Sequence, residues 1–192
     1  SRRNPAPTDP FDTEEMTYDE NAILAYYQAI NDGSINVGKW IRLLYEVIMQ
    51  GLQEKRWFYD HKKARNAIGF LERFCHHNKG PLAPGRLKLE LWQRASISLI
   101  FGIVDADGFR QFTEVFWVVG RKMGKSLLSG GIGDYEAFID GDYGSELYYL
   151  APKLEQADIC YSAFEFNVNC EPELAKRTKS TKTRGLYIAE NN

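Results

Sequence analysis

Residues 114–126, EVFWVVGRKMGKS, are the stretch on which the fold turns. After Glu114 the run is β-branched and aromatic up to Val119, the composition of a short strand buried on both faces. Gly124, Lys125 and Ser126 follow at once, and from Lys125 to Asp140 the apolar residues return at helical spacing. A strand that enters a glycine-containing loop at a helix N-terminus gathers backbone N–H groups at one place. Those donors, with the helix dipole behind them, favour a phosphate. In such a loop Gly124 lets the backbone approach the ligand, Lys125 reaches the β- and γ-phosphates of a nucleotide, and the Ser126 hydroxyl helps hold Mg2+.

Gly-Lys-[Ser/Thr] arises by chance about once per 2,000 positions, so the tripeptide needs its surroundings to carry weight. Those surroundings are a strand before it, a helix after it, and a second strand-like run at residues 147–151 (LYYLA) roughly 20 residues on, as the mechanics of a phosphate loop require. The spacing GxxxxGK[ST] asks for glycine at position 119, where this chain has Val119, with Gly120 one place later. Alternation continues beyond: residues 153–167 read as a helix and 186–189 as the start of a strand. Strand and helix taking turns predict an α/β core with a parallel sheet flanked by helices.

Upstream the pattern is helical. Short helices are expected over 20–30, 37–52 and 64–80, separated by the turn at residues 31–34 (NDGS) and ended by Gly80 and Pro81, with a fourth over 89–101. Residues 1–18 hold three prolines and many charges, and read as a flexible arm. The expected organisation is therefore an arm (1–18), a helical lead-in (19–85) and a partial nucleotide-binding domain (86–192).

At 192 residues, 44% hydrophobic and 26% charged, the chain has the composition of a globular protein. No run reaches the roughly 18 to 20 apolar residues needed to cross a bilayer, and the first ten residues do not have a signal-like pattern. A cytoplasmic location without membrane contact is the expectation. Cys75, Cys160 and Cys170 are too few and too scattered for a disulfide framework. A net charge of −2 provides no global attraction to nucleic acid, so any contact with DNA needs a local patch.

The variant loop VGRKMGKS at residues 119–126 resembles the phosphate loop of the large terminase subunits of tailed phages. There an Arg-Lys pair commonly precedes Gly-Lys-Ser or Gly-Lys-Thr, and the first glycine is often missing. The likeness extends to residues 89–93 (LELWQ) with Phe101 and Gly102, to Leu150, Ala151 and Pro152 with Gln156 and Ala157, and to the helix carrying Phe70 and Phe74. It covers roughly residues 26–189, although Pro152 stands where the family more usually has threonine. The resemblance implies a P-loop NTPase fold whose loop, Gly120, Arg121, Lys122, Met123, Gly124, Lys125 and Ser126, binds ATP, with Mg2+ on Ser126. It implies that Gln93 reads adenine, for which an amide that both donates and accepts is suited. The resemblance also implies catalytic roles for Lys125 and Arg121, with Arg121 near the γ-phosphate. It further implies a DNA-packaging motor: a homo-oligomeric ring that hydrolyses ATP to move double-stranded phage DNA into a capsid, working with a portal and a small terminase subunit in the host cytoplasm.

A working ATPase of this kind also needs a hydrophobic strand ending in Asp-Glu, and none is found. Residues 99–105 (LIFGIVD) lie before the loop and continue a helix, which makes them a decoy. The family's nuclease would lie further on, so the expectation is a front portion that binds nucleotide and hydrolyses it poorly. The rival readings are another P-loop NTPase, such as a helicase-like ATPase or a nucleotide kinase, and a non-enzymatic helical interaction module.

Four further features read as structural. Lys176, Arg177, Lys179, Lys182 and Arg184 form a basic cluster that could touch DNA phosphates but lacks interleaved aromatics. Cys75, His76 and His77 sit at a helix C-terminus, too closely spaced on one helix to converge on a metal. Asp105-x-Asp107 and Asp140-x-Asp142 lack the third acid of a calcium loop and read as turns.

Overall fold

The computed structural model describes residues 21–141, 144–180 and 185–188. The expected arm at 1–18 therefore lies outside the described residues, as do Asp142, Lys182, Arg184 and Ala189.

Helix α1 (Ala22–Asn31) starts on Asn21, whose side chain accepts from the backbone N–H groups of Ile23 and Leu24. Helix α2 is Lys39–Gln53. Helix α3 (His61–Phe74) is capped by Asp60, whose carboxylate accepts from Lys63 N. Helix α4 (Leu91–Gly102) begins with a capping box in which the side chains of Glu90 and Gln93 each accept from the other residue's backbone. Helix α5 (Lys125–Tyr135) runs into one π-helical turn, Glu136–Asp140, and is followed by α6 (Leu154–Cys170) and α7 (Pro172–Lys176).

Two apolar clusters hold these helices together. In one, Ile23 and Ile30 of α1 and Tyr45 and Ile48 of α2 pack on Ala95 of α4 and on Ile103. In the other, Leu71 and Phe74 of α3, Phe101 of α4, Leu128 of α5 and Val168 of α6 are all buried together. Helix α4 serves both, and Trp92 touches each. No helix among the described residues is long and apolar enough to cross a membrane.

The strands differ from expectation. Among the described residues the only ladders are antiparallel and two-stranded: β1 (Phe58–Tyr59) with β2 (Ile103–Val104), and β3 (Thr178–Ser180) with β4 (Leu186–Ile188). Residues 114–120 and 145–151 form no regular secondary structure and join no ladder. The expected two-sided burial of residues 114–119 does not hold, because Phe116 and Val118 are 93% and 95% exposed. Trp117, of opposite parity, turns inward onto Trp92, with ring centroids 6.3 Å apart. The second run behaves alike: Leu150 is 89% exposed while Tyr149 packs beside Phe164. A strand is buried on both faces by neighbouring strands and covering helices. Here one face of each run rests on helices, and no described strand flanks either.

Helix α3 also stops earlier than its pattern suggests. It ends at Phe74, and the chain from Cys75 turns away as a loop that bridges His76 to Arg86. The periodicity could not register this end because it is made by long-range contacts from residues 167 and 171.

Candidate functional site

After residues 114–120 the chain makes a tight turn through Arg121 and Lys122 and enters α5 at Lys125. Gly124 is the N-cap, with φ 77° and ψ 9°, the left-handed conformation that glycine adopts without strain. Lys122 also has a positive φ, 67°. No side chain caps the helix, and the first ladder bond inside it runs from Leu128 N to the Gly124 carbonyl at 2.9 Å. The N–H groups of the first turn thus point outward at the positive end of the helix dipole. Arg121, Lys122 and Lys125 are exposed, Ser126 is half-buried, and none of the three cations makes an ion pair among the described residues. Three free cations around an uncapped helix start suit an anionic ligand of high charge.

Gln93 is drawn into this site. Its Oε1 accepts from Glu90 N at 2.9 Å, which fixes the amide, and its Nε2 stands 3.3 Å from the place a Cβ on Gly124 would occupy. The side chain is 8% exposed. Sequence reading placed Gln93 on a nucleotide, and the structure places its amide nitrogen against the loop backbone. Gln93, Gly124 and the start of α5 are thus brought together from segments thirty residues apart.

Behind the loop, α5 is clasped by its neighbours. A Cβ on Gly130 would stand 2.8 Å from the Ala163 Cβ, one on Gly131 2.8 Å from the Cys75 Sγ, and one on Gly133 2.0 Å from the Tyr149 hydroxyl. Glycine here supplies room rather than flexibility. The sequence carried this signal in residues 129–133 (SGGIG), too glycine-rich for an ordinary helix.

Asp134 had no such signal. It is fully buried, and its Oδ2 accepts from Asn167 Nδ2 at 2.7 Å, while Asn167 Oδ1 accepts from His76 N at 2.8 Å. Loss of solvent pushes its carboxyl well above the usual carboxylate range, against a smaller lowering by the Asn167 bond. Burial likewise raises the Tyr149 hydroxyl and the Cys75 thiol, with Asp134 adding to both. Asp134 Oδ1 and the Tyr149 hydroxyl have no hydrogen-bond partner among the described residues.

The remaining candidates fall outside the site. His76 places Nε2 2.7 Å from Glu171 Oε1 and Nδ1 2.8 Å from the Pro84 carbonyl. It sits just past Cys75, the C-cap of α3, and links the α6–α7 junction to the loop after α3. No group of three or more His, Cys, Asp or Glu is placed to hold a metal among the described residues. Asp105 ends β2, and its Oδ1 accepts from the N–H groups of Asp107 and Phe109, both at 2.9 Å, as a turn requires. Arg177 lies 6.0 Å from the Phe138 ring, and Lys179 is in β3.

A helix start at Gly124 without a side-chain cap, headed by a lysine and a serine, has features that the phosphate loops of nucleotide-binding proteins share. The family described as "Terminase large subunit, ATPase domain" matches residues 91–189, just over half of the chain, and the chain belongs to that family. Among solved structures it is similar to the large terminase of bacteriophage HK97, with a TM-score of 0.58 and 23% sequence identity. That match covers 68% of this chain and 26% of the HK97 protein, so the chain spans about a quarter of the protein it resembles. No curated protein sequence matches.

Proposed function

We propose that this chain is the nucleotide-binding front portion of a phage DNA-packaging motor, with the loop at residues 120–126 holding the triphosphate of ATP. The observation that carries this reading is the left-handed Gly124 at the uncapped start of α5, with the Gln93 amide fixed against it, in a chain of the terminase ATPase family. The residues fit the ligand: open first-turn donors take phosphate oxygens, Lys125 and Arg121 supply positive charge, and Ser126 offers a hydroxyl for Mg2+. Bound Mg2+ would screen the phosphate charge. Gln93 approaches the adenine edge with its amide nitrogen, its oxygen being engaged by Glu90 N. Arg121 stabilises charge on the γ-phosphate.

The exposed faces of residues 114–119 and 147–151 are the places where further strands complete a parallel sheet in a polypeptide of terminase length. The Asp-Glu strand for hydrolysis comes with them, so the chain alone binds ATP and turns it over poorly. Double-stranded DNA, a portal, a small terminase subunit and a homo-oligomeric ring in the host cytoplasm are the partners and setting of that longer motor.

The test is titration of MgATP into the 192-residue chain by calorimetry, beside Lys125→Ala. Saturable binding lost in the variant is expected. No heat at millimolar MgATP, or equal binding by both chains, refutes the reading.

A further inference from the structure

Gln93 presents its two amide atoms unequally. Its Oε1 accepts from Glu90 N at 2.9 Å, and only an oxygen can face that N–H, so the orientation of the amide is fixed. The nitrogen is the atom turned to the loop. Nε2 stands 3.3 Å from the place a Cβ on Gly124 would take, whereas Oε1 lies more than 4 Å from it. The residue is 8% exposed, and Nε2 donates to no acceptor among the described residues. A largely buried amide whose one free donor is turned to an open phosphate loop is placed to meet a ligand.

That geometry decides what a base must offer. Adenine carries an acceptor, N7, beside a donor, the N6 amino group, and a glutamine selects it by pairing with both at once. Such a pairing needs Oε1 for the amino group, and here Oε1 is held by Glu90 N and is not the atom that faces the loop. What is left is a single N–H. Guanine offers it the same N7, with O6 as a second acceptor beside it, so nothing in the amide separates the two purines. Cytosine presents an amino group, another donor, at the matching edge and gives the N–H nothing to bond.

We infer that this is a purine site rather than an adenine site: Gln93 reads the base through one donor, Nε2, and ATP and GTP enter alike. The inference rests on the phosphate-loop reading of residues 120–126 and widens its ligand class to purine nucleoside triphosphates. One backbone N–H sets the choice. Glu90 has φ −68° and ψ 157°, a conformation that proline adopts, and Leu89 before it is not helical. Glu90→Pro therefore removes the N–H without asking the backbone to move.

The test is calorimetric titration of MgATP, MgGTP and MgCTP into the 192-residue chain, into Glu90→Pro and into Glu90→Ala. In the parent, ATP and GTP should bind less than about fivefold apart, since a two-point glutamine contact supplies about fivefold or more. CTP should bind about 2- to 10-fold more weakly, the contribution of one hydrogen bond. Glu90→Pro frees Oε1 and should prefer ATP over GTP by about fivefold or more. Glu90→Ala loses the carboxylate but keeps the N–H, and should be as indifferent as the parent. Circular dichroism checks that both variants fold, and the three affinities of the parent decide the matter if Glu90→Pro does not. ATP preferred by more than about fivefold in the parent, CTP bound as tightly as the purines, or a folded Glu90→Pro that stays indifferent overturns the inference and leaves the phosphate loop standing. Binding of no triphosphate overturns both.

Discussion

Asp134→Asn should change how stability depends on pH while leaving the fold intact. In the folded chain the Asp134 carboxyl is raised well above its ordinary 3.8, chiefly by burial. Between 3.8 and that raised value the folded protein holds a proton that the unfolded chain releases. Stability contributed by this group is therefore complete at low pH and falls as pH rises through the window, by up to about 1.4 kcal/mol per pH unit at the steepest. Asparagine is nearly isosteric, accepts the same Asn167 Nδ2 bond and never ionises. The variant should match the parent within about 1 kcal/mol near pH 4, where both side chains are neutral, and exceed it progressively towards pH 8. Urea unfolding at half-unit pH steps, followed by tryptophan fluorescence through Trp92 and Trp117, measures both curves; their difference isolates this one group, because every other titration is common to the two chains. Parallel curves would refute the argument, showing that Asp134 has solvent access or an unseen cationic partner.

Other outcomes follow from the same geometry. With MgATP at about 100 times its dissociation constant, the parent chain should gain roughly 2.7 kcal/mol of stability and Lys125→Ala none, read as a melting-temperature shift. Gly133→Ala should cost about 1–3 kcal/mol because its Cβ would lie 2.0 Å from the Tyr149 hydroxyl, and adding Tyr149→Phe should recover part of the loss in chemical denaturation. Leu128→Ala, at a fully buried position of the larger cluster, should cost about 3 kcal/mol in the same assay. Gly124→Ala should weaken MgATP binding by calorimetry, since it combines a strained φ with crowding of the Gln93 amide.

The helices were legible because each needs mainly its own residues: apolar spacing placed α1, α2, α4, α5 and α6 and the start of α3, while the end of α3 was missed. The turn into α5 was legible for the same reason, Gly124 and Lys125 being adjacent residues at the start of the helix. Residues 114–119 misled because composition reports what a strand prefers to meet, not what is beside it; Phe116 and Val118 have the character of buried residues and a solvent environment. The end of α3 and the buried Asp134 were illegible because distant residues decide both. Asn167 reaches the chain just past Phe74 and holds Asp134, and nothing local to either position encodes Asn167. The resemblance put Gln93 forward for the site, while its approach to Gly124 depends on how α4 lies against α5, which no spacing reports.

The glycine face of α5 determines how the loop can respond to a ligand. Side chains at an interface absorb small displacements by changing rotamer, but at Gly130, Gly131 and Gly133 the backbone of α5 meets its neighbours with no side chain of its own between them. Play in the joint is correspondingly small. A shift of the loop at Lys125 therefore passes along α5 as along a stiff rod, moving Ala163 on α6 and Tyr149 of residues 145–151 together. If the loop holds the proposed nucleotide, its occupancy would thereby bear on the segments that present Leu150 and Leu154 to solvent.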